Sequence, residues 1–271
     1  MTGGTDGPAP NLKTRAAKAR AQSAQMAARA KARRRVAIAV VAGVLVVVVA
    51  IVLSVTLTGG SSKKSTAAPG IDASALALTG TGTTSCTYTS TGAGSAARSV
   101  GTPPAKGVAA GSYLATISTN RGPITIKLDG TKAPCTVNSF IFLAAKGYFG
   151  ATRCHRLTTS GIYVLQCGDP TATGSGGPGY QFADENLDGA TYPAGTVAMA
   201  NAGPSTNGSQ FFLVYKDTQL SPAYTPFGTI TGGLDVLNTI AAGGTDNSNG
   251  SGDGHPNQPV TITSVKVTKG P

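Results

Sequence analysis

Few residues of this 271-residue sequence have the types and spacing that covalent or metal chemistry requires. The two histidines, His155 and His255, are far apart, and no Cys/His spacing matches a zinc site. Residues 174–179 read GSGGPG and fit the dinucleotide pattern G-x-G-x-x-G, but Pro178 predicts a loop where such a site needs a helix. We therefore expect no metal and no cofactor, and a nucleophilic or metal-dependent hydrolase is poorly supported.

Two segments remain whose composition is specific enough for a functional interpretation. They read CHRL (154–157) followed by VLQCGD (164–169), and MANAGPSTNGSQFF (199–212). The guanidinium of Arg156 is planar and always charged, which makes it a suitable hydrogen-bond donor. Period-2 alternation sends one of Phe211 and Phe212 into the core and leaves the other for a pocket.

Strand patterns dominate the part of the chain that carries these segments. Residues 113–119 and 124–128 alternate polar and apolar side chains around a turn at 120–123, which indicates a β-hairpin. Pro134 opens a predicted helix over 136–145. The remaining predicted elements are a helix over 234–242 and strands over 154–157, 162–166, 195–200, 210–214, 227–230 and 260–267. This pattern predicts a mainly β fold, a closed eight-stranded antiparallel barrel capped by two helices.

Positive charge is concentrated at the N-terminus. The first 35 residues hold nine Lys or Arg and one acid, whereas the rest of the chain holds 13 bases and 10 acids. The next segment (36–58) reads VAIAVVAGVLVVVVAIVLSVTLT, which is uncharged and long enough for a transmembrane helix. The apolar region of a cleavable signal peptide, the alternative, is shorter and ends in an A-x-A-like site. Because Arg33, Arg34 and Arg35 stand at one end only, the N-terminus is predicted to be cytoplasmic and the residues after Gly59 extracytoplasmic.

Composition divides the chain into four predicted parts. They are a basic cytoplasmic tail (1–35), a single transmembrane helix (36–58), a Gly/Ser/Thr/Pro-rich tether (59–108) and a globular domain (109–271). The tether composition is typical of a flexible linker, although Cys86 and Tyr88 leave open that part of it packs on the domain. The tail is interpreted as a topology determinant that binds no nucleic acid.

The two functional segments resemble those of a known family. Residues 199–212 resemble the cyclophilin signature nearly residue for residue, and residues 154–169 resemble the catalytic arginine hairpin of that family. The helix entry APCTVNSF (133–140) and the Phe-Gly pair at 227–228 follow the same order, and the resemblance covers residues 112–269. It implies a cyclophilin-like barrel that isomerises X-Pro bonds of proline-containing polypeptides without a covalent intermediate.

Isomerisation of an X-Pro bond is slow because amide resonance imposes a barrier of about 18–20 kcal/mol. A catalyst needs to bind the twisted amide better than either planar form. The resemblance implies that Arg156 donates a hydrogen bond to the proline nitrogen, that the Asn201 backbone N–H anchors the carbonyl, and that Gln166 holds Arg156. No proton is transferred, so His155 is interpreted as a structural hydrogen-bonding residue. The implied substrate-binding residues are Tyr163, Val164, Ala200, Gln210, Phe212, Leu220 and Tyr224.

The sequence departs from the family pattern in three places. The hairpin tip at 158–161 makes the spacing from Arg156 to Gln166 two residues longer than the common eukaryotic one. The usual tryptophan is absent, with Gln219 near its place, and Tyr224 replaces the pocket histidine. Proline isomerisation is expected to persist, whereas cyclosporin affinity stays open because the tryptophan contacts the drug.

Four cysteines allow three disulfide pairings, and outside the cytoplasm they are able to oxidise. Cys154 and Cys167 flank the arginine hairpin and would face each other across two antiparallel strands, which leaves Cys86 for Cys135. Four free, buried thiols are the alternative.

Three functions stay open from the sequence. The first is an extracytoplasmic, membrane-anchored isomerase, expected to be monomeric, for exported or surface proteins. The second is a proline-segment binding module or chaperone with little turnover. The third, a nucleic-acid-binding membrane protein, rests on the basic tail alone. The complete set of Arg156, Gln166 and Phe212 favours the enzyme, because a pure binder does not require Arg156.

Overall fold

The computed structural model of this chain describes residues 71–92 and 94–271. The predicted basic tail (1–35), the predicted transmembrane helix (36–58) and the first part of the predicted tether (59–70) lie outside the described residues. Within the described ranges, no helix has the length and apolar character that crossing a membrane requires.

The described residues form three helices and twelve strands. The helices are α1 (Ala73–Leu76), α2 (Pro134–Ala145) and α3 (Leu234–Ala242). The strands are β1 (Thr89–Ser90), β2 (Ser112–Thr119), β3 (Gly122–Asp129), β4 (Thr152–Arg153), β5 (Arg156–Thr158), β6 (Val164–Cys167), β7 (Tyr180–Gln181), β8 (Thr196–Met199), β9 (Phe211–Val214), β10 (Pro226–Gly232), β11 (Asp253–Gly254) and β12 (Thr261–Lys269).

Ten of the described strands form one antiparallel sheet in the order β11-β5-β6-β9-β8-β10-β3-β2-β12-β4. Although β4 and β5 lie at or near opposite ends of this order, only Cys154 and His155 separate them along the chain. The N–H of Cys154 donates to the C=O of Val260 (2.9 Å), and the N–H of His155 donates to the C=O of Gln166 (3.1 Å). The sheet is therefore curled, and the chain passes from β4 to β5 in two residues although these two strands do not pair with each other.

The predicted closed eight-stranded barrel is thus corrected to a curled sheet of ten strands in the part of the chain that the structure describes. The eight predicted strands are present. The two additional strands, β4 and β11, are each two residues long, which is too short for alternation to reveal them. The predicted hairpin is confirmed: β2 pairs with β3 without slip, from Ser112 opposite Asp129 to Thr119 opposite Gly122.

Helix α2 lies against the curled sheet and organises the main core. It begins at Pro134, whose fixed φ suits the first position of a helix. The ring of Phe140 contacts three other core rings, with centroid distances of 5.1 Å to Phe149, 5.6 Å to Phe211 and 5.5 Å to Phe227. Both predicted helices, α2 and α3, are confirmed.

Helix α2 is buried on all sides, because every residue from Thr136 to Ala145 is buried. The segment 71–108, which precedes β2, packs against this helix. The side chain of the fully buried Asn138 shows this most clearly: its Oδ1 accepts from the N–H of Gly80 (2.9 Å), and its Nδ2 donates to the hydroxyl of Tyr88 (3.0 Å) and the C=O of Pro104 (3.1 Å).

Residues 71–108 therefore differ from the predicted flexible tether, because they form part of the same compact unit as the domain. Ala75 and Val108 are buried in the main core, and a disulfide joins Cys86 to Cys135 at the start of α2. A second disulfide joins Cys154 to Cys167, so both expected pairings are observed. The globular domain extends N-terminally beyond the predicted boundary at residue 109.

Candidate active site

Four neighbouring strands bring the main predicted residues onto one face of the sheet. Arg156 on β5 lies opposite Gln166 on β6, Gln166 lies opposite Phe212 on β9, and Phe212 lies opposite Ala198 on β8. The adjacent residues on these strands point to the other face, into the main core: Leu157, Leu165, Phe211 and Val197. The expected separation of Phe211 from Phe212 is therefore observed.

A carboxylate holds the guanidinium of Arg156. Its Nε donates to Oδ1 of Asp253 (2.8 Å) and its Nη2 donates to Oδ2 (2.6 Å), while Nη1 donates to Oε1 of Gln166 over a longer 3.5 Å. The hydrogen bonds with Asp253 raise the pKa of Arg156, and the same bonds hold the pKa of the Asp253 carboxyl below its ordinary value. Both groups are consequently ionised at neutral pH.

Two side-chain amides connect Arg156 to the glycine-rich loop at 174–181. Nε2 of Gln166 donates to Oε1 of Gln210 (2.9 Å). Nε2 of Gln210 then donates to the carbonyl oxygens of Gly174 and Gly176, both at 2.9 Å. Since each amide uses one end as acceptor and the other as donor, the orientations of Gln166 and Gln210 are fixed together.

Next to Gln166, the outer face of the sheet carries a second apolar cluster that is separate from the main core. Its buried members are Val164, Tyr192, Ala198, Phe212 and Val214, and Ile162, Ala190, Ala200, Leu220 and Tyr224 pack against them. The ring of Phe212 lies 5.6 Å from Tyr224 and 6.2 Å from Tyr192. This cluster gives the site an apolar surface bordered by the polar row of Arg156 and Gln166.

The cluster contains the predicted Val164, Ala200, Phe212, Leu220 and Tyr224, but not the predicted Tyr163. The ring of Tyr163 lies 6.0 Å from that of Tyr215, and the Lys216 ammonium lies 4.5 Å from its centroid. Ile162 takes its place in the cluster, because residues 162 and 164 share one side of the chain.

Tyr192 was not identified from the sequence. Its hydroxyl donates to the C=O of Tyr224 (2.8 Å) and accepts from the N–H of Tyr224 (3.1 Å), so it fixes the position of that ring. Tyr192 lies in the loop before β8, outside both functional segments, and no sequence signal distinguishes it from an ordinary buried aromatic residue.

Asn201 follows β8 and presents an unused backbone donor. Its side chain is occupied, because Nδ2 donates to the C=O of Ala223 (2.8 Å) and Oδ1 accepts from the N–H of Gly203 (3.3 Å). The backbone N–H of Asn201 has no acceptor among the described residues. This N–H is the donor that the sequence assigned to a substrate carbonyl.

A cavity of about 500 Å³ adjoins Gln166, Ala200, Asn201 and Gln210. Its opposite wall comes from the glycine-rich loop at 174–181 and from two hydroxyl residues, Thr91 and Ser95, of the N-terminal segment 71–108. Strand β1 of that segment pairs with β7 of the loop.

The glycine-rich loop is organised around the fully buried carboxylate of Asp169. Oδ1 accepts from the N–H and hydroxyl of Thr171, both at 2.7 Å, and Oδ2 accepts from the N–H groups of Thr173 (3.1 Å), Gly174 (2.8 Å) and Gly176 (3.0 Å). Burial raises the pKa of Asp169, but the bonds from Thr171, Gly176 and Gly174 outweigh it and hold the pKa below its ordinary value.

The interpretation of His155 as a structural hydrogen-bonding residue is wrong for the described part of the chain. The residue is 7% exposed, and neither ring nitrogen has a hydrogen-bond partner there. Burial lowers the pKa of His155, so the imidazole is neutral at physiological pH and packs beside Gly174.

Comparisons with known proteins show which family this chain is similar to. The family model described as "Cyclophilin type peptidyl-prolyl cis-trans isomerase/CLD" matches residues 114–267. A probable peptidyl-prolyl cis-trans isomerase B of Mycobacterium leprae is 51% identical over 167 residues, which cover 56% of this chain and 56% of that protein. A probable peptidyl-prolyl cis-trans isomerase A of the same organism is 38% identical over 176 residues, covering 57% of this chain and 91% of that protein.

A crystal structure of a Cryptosporidium parvum cyclophilin-type isomerase is similar with a TM-score of 0.53 and 33% identity, covering 59% of this chain and 99% of that one. A second structure of the same protein, obtained in the presence of the dipeptide Ala-Pro, gives a TM-score of 0.52. This chain spans about half the length of the isomerase B relatives that it matches.

Proposed function

Because this chain belongs to the family of cyclophilin-type peptidyl-prolyl cis-trans isomerases, we propose that it accelerates the isomerisation of X-Pro bonds in polypeptides. The observation that carries the proposal is the row from Arg156 through Gln166 to Phe212, which sets a fixed guanidinium beside an apolar cluster. A twisted prolyl amide presents a polar nitrogen next to an apolar ring. The guanidinium suits the nitrogen, and the apolar cluster suits the ring.

The reaction breaks no covalent bond, and catalysis consists of binding the twisted amide more tightly than either planar form. Twisting interrupts amide resonance, the source of the barrier of about 18–20 kcal/mol, and returns a lone pair to the proline nitrogen. A hydrogen-bond donor aimed at that nitrogen therefore stabilises the transition state more than the ground states.

Three groups of the site supply the necessary interactions in this proposal. The proline ring lies against Phe212, with Val164 and Leu220 beside it in the same cluster. Arg156 donates to the proline nitrogen. The N–H of Asn201 donates to the peptide carbonyl, since no acceptor among the described residues uses it.

A protease-coupled isomerisation assay on the full chain tests this function. Arg156→Ala is expected to lower kcat/KM about 100-fold, the typical effect of removing one transition-state donor. Arg153→Ala is the matched control, because Arg153 is an exposed arginine three residues earlier on β4. It is expected to retain the wild-type rate.

Equal rates for the wild type and Arg156→Ala would contradict the role of Arg156. A wild type that binds X-Pro peptides without accelerating their isomerisation would instead identify a proline-segment binding module or chaperone.

We also propose that residues 36–58 anchor the protein in the cell membrane, with the N-terminus cytoplasmic. The protein is a monomer in this proposal, and its isomerase domain acts outside on exported or surface polypeptides. The uncharged segment and the three arginines before it support the orientation. The two disulfides of the described domain are in keeping with an oxidising compartment.

This location predicts that the full chain, taken from the membrane fraction of its own cells, contains no free thiol before reduction. Thiol trapping with a maleimide polymer after denaturation measures the number of free cysteines, and a reduced sample provides the fully labelled control. Four free thiols in the unreduced sample would contradict both disulfides and remove this support for the extracytoplasmic placement.

A further inference from the structure

The loop between α3 and β12 reaches the site through Asp253, a residue outside both functional segments. Asp253 is 97 residues from Arg156 in sequence, yet it takes two charge-assisted hydrogen bonds from its guanidinium, at 2.8 and 2.6 Å. The two side chains are 35% and 27% exposed, so the pair lies at the rim of the site rather than in the core.

The arrangement leaves the reactive side of Arg156 available. A guanidinium has five N–H donors. Asp253 takes two of them, and a third points to Gln166 at 3.5 Å. Two donors remain for a substrate. Because a bidentate contact fixes the plane of the guanidinium as well as its position, it also fixes where these two donors point.

Asp253 is itself held in place by its loop. Strand β11 pairs with β5, which sets Asp253 opposite Thr158. The Asp253 N–H donates to the C=O of Gly250 (2.9 Å), and Nδ2 of Asn249 donates to its Oδ1 (3.1 Å). The carboxylate is therefore aimed at Arg156 by both backbone and side-chain contacts.

Gln166 alone does not provide the same restraint. Its single contact with Arg156 is long, and its amide is committed on the other side to Gln210. An arginine restrained by one weak contact retains much of its side-chain rotamer freedom.

We propose that Asp253 is the residue that positions Arg156 for prolyl isomerisation, by clamping its guanidinium so that the free donors face the proline nitrogen. Asp253 touches no substrate atom and acts through Arg156 only. This inference rests on the proposed isomerase function and adds a positioning residue to it.

The test compares two carboxylates of the same loop in the full chain. Asp253→Asn removes the bidentate acceptor at nearly constant shape. Asp246→Asn is the matched control, because Asp246 accepts from the N–H groups of Ser248 and His255 and pairs with the His255 ring. In the Asp253 variant, kcat is expected to fall roughly tenfold while KM for an X-Pro peptide stays unchanged. The thermal unfolding midpoint is also expected to stay unchanged, because partly exposed ion pairs contribute little to stability. The Asp246 variant is expected to retain the wild-type kcat.

A double-mutant cycle shows whether Asp253 acts through Arg156. In the Arg156→Ala background, adding Asp253→Asn is expected to change the residual rate by less than about twofold. A further loss in that background, or an equal loss of kcat in the Asp246 variant, would overturn the proposal in favour of a general role of the loop.

An NMR measurement on the wild type tests the clamp without relying on a variant. The Arg156 Nε–H signal is expected to be sharp and protected from exchange at neutral pH. A broadened, rapidly exchanging signal would overturn the proposal. An inactive wild type would contradict the isomerase function itself. The positioning role alone would be contradicted if the wild type is active, Arg156→Ala is inactive and Asp253→Asn is fully active.

Discussion

Phe211 and Phe212 are adjacent on β9 but face opposite sides of the sheet, so the same truncation has different consequences at each. Phe211 is fully buried in the main core, and Phe211→Ala is expected to lower the free energy of unfolding by about 3–5 kcal/mol. Phe212 belongs to the second apolar cluster, and Phe212→Ala is expected to lower kcat/KM more than tenfold with a smaller loss in the free energy of unfolding. Denaturant unfolding and the coupled assay measure the two effects, and wild-type kcat/KM in the Phe212 variant would contradict the proline-binding role.

The sequence predicted some residues of the site but not others. Arg156, Gln166 and Phe212 lie in specific segments on adjacent antiparallel strands, so strand register is enough to bring them together. The tip of the arginine hairpin has an unusual length, so alternation alone does not fix which of Ile162, Tyr163 and Val164 share a face. Asp253 comes from a distant loop whose composition resembles that of any polar connection.

At the scale of elements, the glycine-rich loop depends on one carboxylate, which makes its stability depend on pH. The bonds to Asp169 hold its folded pKa below the unfolded value of about 3.9. Its contribution is therefore fully present above about pH 4 and is lost as the pH falls through the lower folded pKa. Asp169→Asn replaces one acceptor oxygen by an NH₂ group and is expected to lower the free energy of unfolding at pH 7 by about 1–3 kcal/mol.

Denaturant unfolding of the wild type and Asp169→Asn between pH 7 and pH 3 measures this effect. The difference between the two proteins is expected to narrow below about pH 4, because Asp169 of the unfolded chain becomes protonated there while the folded carboxylate keeps its charge to lower pH. Asp217→Asn serves as a control, because the exposed Asp217 accepts one N–H, from Ala194. A difference that stays constant over the whole pH range would refute the assigned role.

The elements with clear periodicity were predicted correctly, whereas for residues 71–108 the sequence indicated a flexible tether and left open that part of it packs on the domain. The β2-β3 hairpin and both long helices carry alternation or helical spacing that tertiary contacts do not override. Residues 71–108 have the composition of a flexible linker, and their order comes from distant partners: the disulfide to Cys135 and the hydrogen bonds of Asn138. Cys86 indicated the first of these partners, whereas local composition contains no information about the contacts of Asn138.

At the scale of the whole molecule, the two disulfides restrain different parts of the chain. The Cys86–Cys135 bridge has a sequence separation of 49 residues, and the Cys154–Cys167 bridge one of 13. In the chain-entropy model the restraints on the unfolded state contribute about 4 and about 3 kcal/mol respectively. The longer bridge fastens the N-terminal segment to α2, and the shorter one joins the start of the arginine hairpin to its end.

The position of β12 has a consequence for biogenesis. This strand lies between β2 and β4 and supplies the pairing partner along most of β2, from Tyr113 to Thr119. All of its partners precede it in the chain, so they leave the ribosome with an open strand edge that only later residues cover. The sheet cannot form progressively during synthesis, and its edge at β2 is covered only after β12 has been translated.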